Sequence, residues 1–256
     1  MTGRAMTSAN AWASAARTVG LAAGLVAIAA AWGLAHAQSP APAQAEAASS
    51  AEPVSEAERL LFMHPHLATV RTPTTLSYAW SAQTAASAGP PDRATLALRP
   101  RADGSCCSVH GEYLSGAMAV TLPDFDDATA NPILLYFLES EVRRLQRTTK
   151  GQSAHFRRQI RMALATDAHV ADATVHWNGR DLPGHAVRVA PFVDDPYRAR
   201  FEREATTEYV FLLSDEVPGG VAALSATLPD ASATNAPLER RLLVLEDPQP
   251  ATPVKP

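Results

Sequence analysis

Residues 94–113, ATLALRPRADGSCCSVHGEY, decide the fold. Asp103-Gly104 lies near the middle of this stretch and is a strong signal for the two-residue turn of a β-hairpin. With this turn, Leu98 faces Val109 across the two strands. The apolar residues that then share one side of the ribbon are Leu96, Leu98, Cys107, Val109 and Tyr113. A hairpin with one apolar side packs on a hydrophobic core, so the stretch predicts two antiparallel strands of a half-buried sheet.

After the hairpin the apolar residues change to helical spacing. Asn131 is a favoured N-cap, Pro132 is a favoured first helical residue, and Gly151 is a favoured helix terminator. A second helix is predicted from about Ser153 to Thr166. The apolar positions are Leu134, Leu135, Leu138, Val142 and Leu145 in the first helix, and Phe156, Ile160 and Leu164 in the second. The two helices form a pair in the middle of the chain.

Short alternating segments before and after the helices predict further strands. They are residues 76–80, 118–122, 171–177, 187–189, 209–213, 221–228 and 242–245. Short turns between strands favour antiparallel neighbours, and grouped helices indicate the α+β class. We therefore expect an α+β fold, a curved antiparallel sheet with the helix pair packing on one face. This architecture resembles the half-barrel of periplasmic lipoprotein carriers, and no sequence motif accompanies the resemblance.

The first 37 residues have the organisation of a secretory signal. Arg4 and Arg17 form a positive region without acidic residues, residues 21–35 are apolar, and Ala35-His36-Ala37 fits a cleavage site before Gln38. No twin-arginine pair occurs in this segment, so we predict Sec-type export to the periplasm. The alternative is an uncleaved N-terminal membrane anchor, because residues 19–35 reach the short limit for crossing a bilayer.

Composition divides the rest of the chain into three parts. Residues 38–54 are rich in Ala and Pro and are expected to be a disordered linker, and residues 248–256 are expected to be a Pro-rich tail. Residues 55–247 remain as a single α+β domain. Loss of residues 1–37 would change the net charge from −4 to −6, with 20 Lys and Arg against 26 Asp and Glu. This negative balance argues against nucleic acid as a partner.

Cys106 and Cys107 are the only cysteines of the chain. In an exported protein they can form a disulfide, with each other or between two chains. Neighbouring side chains of a regular strand point to opposite faces, so Cys107 is expected inward, opposite Pro100, and Cys106 outward. A vicinal disulfide then requires an irregular strand. A copper or zinc site built from both cysteines and His110, with His64 and His66 supplied from elsewhere in the chain, requires the same irregularity and is kept as an alternative.

Arginines concentrate on the two predicted helices. They are Arg143, Arg144 and Arg147 on the first helix and Arg157, Arg158 and Arg161 on the second. If the helices pack side by side, these residues form an anion or phospholipid-headgroup surface. The alternative is a solvated face in which Glu139 and Glu141 pair with some of the arginines.

The sequence contains none of the motifs that carry common enzyme chemistry or that bind a cofactor, such as G-x-S-x-G, a phosphate loop, a dinucleotide fingerprint or H-E-x-x-H. The leading hypothesis is therefore a non-enzymatic binding or carrier module for an apolar or amphipathic, lipid-like ligand or for another envelope protein. The expected ligand-binding residues, on the concave face between sheet and helices, are Tyr78, Trp80, Tyr113 and Trp177. The alternatives are a periplasmic hydrolase that assembles His, Ser and a carboxylate from separate strands, and the copper- or zinc-handling protein.

Overall fold

The computed structural model describes residues 53–84, 86–230 and 237–246. The predicted signal segment 1–37, residues 38–52 of the predicted linker and the predicted tail 248–256 lie outside the described residues. The described part of the chain has an α+β fold, as the order of its apolar segments predicts.

Eight strands pair in one curved antiparallel sheet that does not close on itself. The strands are β1 (Thr74–Thr84), β2 (Asp92–Pro100), β3 (Cys106–Tyr113), β4 (His169–Trp177), β5 (Arg180–Val189), β6 (Glu208–Leu213), β7 (Val221–Leu228) and β8 (Glu239–Leu245). Their order is β3-β2-β1-β8-β7-β6-β5-β4. The last strand therefore pairs with the first, and it joins the strands that precede the helices to those that follow them.

Three α-helices accompany the sheet. They are α1 (Glu56–Glu58), which continues as a π-helical turn (Arg59–Met63), α2 (Ile133–Thr149) and α3 (Ser153–Thr166). Short 3₁₀ segments occupy Gly116–Met118, Arg198–Arg200 and Glu202–Thr206. The start of α2 follows the sequence signal, since Asn131 Oδ1 accepts a hydrogen bond from the Ile133 N–H at 3.1 Å. No helix among the described residues is long and apolar enough to span a bilayer.

The hairpin register is confirmed over most of its length. Leu98 pairs with Val109, and Ala94 pairs with Tyr113. The register shifts after Arg99, so that Pro100 pairs with Cys106.

The expectation that Pro100 faces Cys107 is therefore wrong. Cys107 is buried as expected, but Cys106 is half-buried, with its Sγ atom 3.5 Å from the Leu67 carbonyl oxygen. The expected outward orientation of Cys106 does not hold, because an irregular pairing beside a turn interrupts the alternation of side chains.

The strand expected at residues 118–122 is absent from the described residues. The chain instead forms the 3₁₀ turn at Gly116–Met118 and then crosses the edge of β3. Val120 makes a single bridge to Tyr113, and Phe125 makes another to Val109. Leu114 and Gly116 both have positive φ, which turns the chain away from a third regular strand.

One face of α2 packs on the sheet. The Phe137 ring contacts the rings of Tyr209 and Phe211 edge to face, with centroids 6.3 and 6.1 Å apart. Tyr136 stacks on Tyr113 at 5.8 Å. A Cβ atom at Gly111 would lie 2.6 Å from the Tyr136 ring, so this strand position has room only for glycine. Aromatic contacts therefore fix the helix against β3 and β6.

A buried ionic cluster joins the same face of α2 to β8. Glu141 is fully buried and accepts hydrogen bonds from Arg241 at 2.8 and 2.8 Å and from Arg144 at 3.1 Å. Arg144 also donates to Glu204, and Arg241 pairs with Glu239. Arg144 is thus part of the interior, and the expectation that it belongs to an exposed arginine surface is wrong.

Candidate functional site

The helix α2 has a second apolar face, which is turned away from the sheet. Leu135, Leu138 and Val142 lie at helical spacing on this face, rotated by about 100–160° around the helix axis from Phe137. Leu135 is 44% exposed, although leucine is a residue that proteins normally bury. The second apolar face of α2 is therefore partly open to solvent, with Leu135 exposed, Leu138 half-buried and Val142 buried.

An apolar groove of about 580 Å³ lies along this second face. Its walls are α2, α3, the N-terminal helical segment and the loop 122–125, and no strand residue lines it. Its apolar lining consists of Phe62, Leu122, Pro123, Phe125, Leu135, Leu138, Val142, Ile160 and Leu164. We call it the helical groove. Its volume is within the range of about 300–1,000 Å³ that is common for small-molecule sites.

Three of the four charged residues that line the helical groove already have partners. Glu139 accepts hydrogen bonds from Arg143 at 3.1 Å and from Arg157 at 2.7 and 2.9 Å. Burial would raise the pKa of Glu139, but these two guanidinium groups lower it, so the carboxylate stays ionised and paired. Glu58 accepts from the Ser55 N–H at 3.1 Å in a capping box.

Arg161 is the fourth charged residue. It is exposed, and it has neither an ion pair nor a hydrogen bond among the described residues. Arg158 is also exposed and without a described partner, but it does not line the groove. The groove therefore carries one unpaired positive charge at its rim.

The four aromatic residues expected to bind a ligand lie elsewhere. Tyr78, Trp80 and Tyr113 are buried in the core, at 0%, 6% and 2% exposure. The Tyr78 hydroxyl accepts a hydrogen bond from Asn131 Nδ2 at 2.9 Å, and burial raises the pKa of this tyrosine. Trp177 lines a separate cavity of about 460 Å³. None of the four lines the helical groove.

One feature of the sequence indicates the groove, namely the width of the apolar stripe on the helix α2. Leu134 and Leu135 are adjacent, and adjacent helical residues lie about 100° apart, so one points inward and the other outward. Leu138 and Val142 line the groove together with Leu135. An apolar stripe too wide for one contact face indicates a helix with two packing surfaces.

Five of the seven histidines in the described part of the chain pair with aspartates. The pairs are His64 with Asp215 at 2.8 Å, His110 with Asp124 at 2.6 Å, His155 with Asp195 at 2.7 Å, His185 with Asp172 at 3.4 Å, and His176 with Asp181. Among the described residues no histidine ring is hydrogen-bonded to a serine hydroxyl. The hydrolase hypothesis requires that contact together with a carboxylate, so these pairs give it no support.

One histidine is buried and held neutral. His66 Nδ1 accepts a hydrogen bond from the Asn131 N–H at 3.2 Å, which leaves the proton on Nε2. Burial, followed by the neighbouring His64, lowers the pKa of His66 to about 4. Within residues 53–84, 86–230 and 237–246, no group of three or more His, Cys, Asp or Glu side chains is arranged to hold a metal ion.

The two cysteines are expected to form a vicinal disulfide under oxidising conditions, because the structure pairs their sulfur atoms. Alkylation in denaturant followed by intact-mass measurement should add no label before reduction and two labels after it. The variant Cys106→Ser should add one label without reduction. A dimer on a non-reducing gel, absent after reduction, would instead indicate a bond between chains.

Comparison of the chain with models of known protein families finds no match, and comparison with curated proteins finds no match either. The geometry of the groove is therefore the basis for a functional proposal.

Proposed function

We propose that this protein is a periplasmic binding or carrier module for an amphipathic ligand, and that the apolar part of the ligand lies in the helical groove. The observation that carries the proposal is the groove itself, nine apolar side chains from four chain segments around about 580 Å³. Contiguous apolar surface that remains open to solvent marks binding sites in soluble proteins.

The position of the groove supports a ligand from outside the protein. The sheet-facing side of α2 is filled by aromatic rings and the Glu141 cluster, whereas the groove-facing side leaves Leu135 exposed and Leu138 half-buried. Filling the groove with an apolar chain removes water from both surfaces, which is worth about 25 cal/mol per Å² of apolar area. The Sec-type signal predicted at residues 1–37 supports a location of such a module in the cell envelope.

A charge placed on the wall of the groove is expected to abolish binding. The variant Leu135→Asp puts a carboxylate on an exposed lining position near the start of α2, where acidic residues are tolerated by the helix dipole. Its affinity for an apolar fluorescent probe such as Nile red should fall at least about tenfold, because a buried charge is costly. Fluorescence titration measures the loss, and circular dichroism checks that the variant is folded.

Met162 provides the matched control. It is an exposed apolar residue of the same helical layer, at 52% exposure, and it does not line the groove. Met162→Asp should bind the probe with unchanged affinity. Equal losses in both variants would mean that the probe senses general surface apolarity. Retained affinity in Leu135→Asp would remove the helical groove as the site.

A further inference from the structure

We infer that the ligand of the helical groove is a single-chain fatty acid, and that Arg161 binds its carboxylate. This inference rests on the proposed function and adds the chemical class of the headgroup. It follows from the placement of one unpaired guanidinium group beside an apolar groove.

The residues of α3 that line the groove form one continuous stripe. Arg157, Ile160, Arg161 and Leu164 have the spacing i, i+3, i+4, i+7, which places all four on one face of the helix. The methylene stem of an arginine packs along apolar surface while its guanidinium group stays in water. Arg161 can therefore cover part of the apolar wall and still present its charge at the rim.

The pairing of the other charges leaves Arg161 as the available one. Arg157 makes two hydrogen bonds to Glu139, and Glu139 receives a third from Arg143. An incoming anion would have to break these contacts to use Arg157. Arg161 has no described partner to lose, so binding an anion there costs no existing ion pair.

The chemistry of the guanidinium group selects the headgroup. Its planar donors match a carboxylate in a bidentate arrangement, and charge-assisted hydrogen bonds of this kind are stronger than neutral ones. One groove of about 580 Å³ and one free charge suit one alkyl chain with one acidic group. A fatty alcohol would lose the ionic contact with Arg161.

The test compares ligands that differ only in the headgroup. Dodecanoate and dodecanol are used to displace Nile red from the purified protein at about pH 8, where the carboxylate is ionised. We expect dodecanoate to bind about tenfold more tightly than dodecanol, the size of effect expected for one hydrogen-bonded charge at a partly exposed site. Arg161→Gln should remove this preference and leave dodecanol binding unchanged.

Arg158→Gln is the matched control, because it removes another exposed arginine of α3, three positions earlier and outside the groove. It should keep the tenfold preference. If Arg158→Gln and Arg161→Gln lose the preference equally, the general positive field is responsible and the assignment to Arg161 is wrong.

The remaining outcomes separate the inference from the proposed function. Equal binding of acid and alcohol by the unmodified protein would overturn the fatty-acid inference but leave the groove as an apolar site. Displacement by neither ligand would overturn both. A lysophospholipid of the same chain length that binds more tightly than dodecanoate would replace the carboxylate by a phosphate as the preferred headgroup.

Discussion

Replacing Glu141 by Gln is expected to lower the free energy of unfolding by about 3–5 kcal/mol, the range found when one partner of a buried ion pair is removed. Glu141 is fully buried and lies between two arginines that are themselves 6% and 1% exposed. Its two carboxylate oxygens accept from Arg241 and one of them also accepts from Arg144. Without the carboxylate, two guanidinium groups remain in the interior with less compensating charge.

The expected pH dependence follows from the same contacts. Burial alone would raise the pKa of Glu141, but the charges and hydrogen bonds of Arg241 and Arg144 lower it from 4.5 to about 2. Because the folded-state pKa is depressed, the stabilisation is fully present above about pH 4.5 and is lost as the pH falls toward about 2. The difference in stability between the unmodified protein and Glu141→Gln should narrow over this range.

Urea unfolding at several pH values measures both effects, and Glu139→Gln is the control. Glu139 lies on the same helix and binds Arg143 and Arg157, but both of these partners are substantially exposed. Its replacement should cost about 1 kcal/mol or less, as for other surface ion pairs. Similar costs for the two variants, or a loss for Glu141→Gln that does not change with pH, would contradict the role given to the buried cluster.

Local sequence patterns predict much of this fold because they act over short separations. The second helix is observed at Ser153–Thr166, the bounds its apolar spacing predicts. The strand Val221–Leu228 also matches the prediction. Residues three or four apart share a face of the helix, and residues two apart share a face of the strand. The spacing of apolar residues therefore indicates directly which face is buried.

The last strand shows where such patterns fail. Only residues 242–245 are predicted as strand, because Glu239, Arg240 and Arg241 break the apolar alternation. The strand in fact begins at Glu239, and Arg241 is buried against Glu141, one hundred positions earlier in the chain. A charged residue is compatible with the interior only when its partner is there, and no local pattern identifies a partner so distant.

The candidate site was unpredictable for a related reason. The helical groove takes its lining from the N-terminal helical segment, the loop 122–125 and both long helices. The wide apolar stripe of α2 indicates a second packing surface but not which segments complete it. Only their mutual packing produces the shared apolar cavity, and none of the four aromatic residues predicted to bind a ligand lines it.

Loss of an apolar side chain should lower the free energy of unfolding more on the sheet-facing side of α2 than on its groove-facing side. Phe137→Ala is expected to cost about 3–5 kcal/mol, as for other buried phenylalanines, because it leaves a cavity beside Tyr209 and Phe211. Leu135→Ala, two residues earlier on the same helix, should cost about 1 kcal/mol or less, because Leu135 is already partly in water. Urea unfolding monitored by circular dichroism compares the two variants directly.

The affinity for an apolar probe should fall more in Leu135→Ala than in Phe137→Ala. Leu135→Ala removes part of the wall of the helical groove and should weaken binding of an apolar probe, whereas folded Phe137→Ala, whose changed side chain does not line the groove, should retain it. If α2 served only to cover the sheet, Leu135→Ala would change neither the free energy of unfolding nor the affinity for the probe. Loss of stability in Leu135→Ala equal to that in Phe137→Ala would mean that the outer face belongs to the core, and the groove would then have no surface to spare for a ligand.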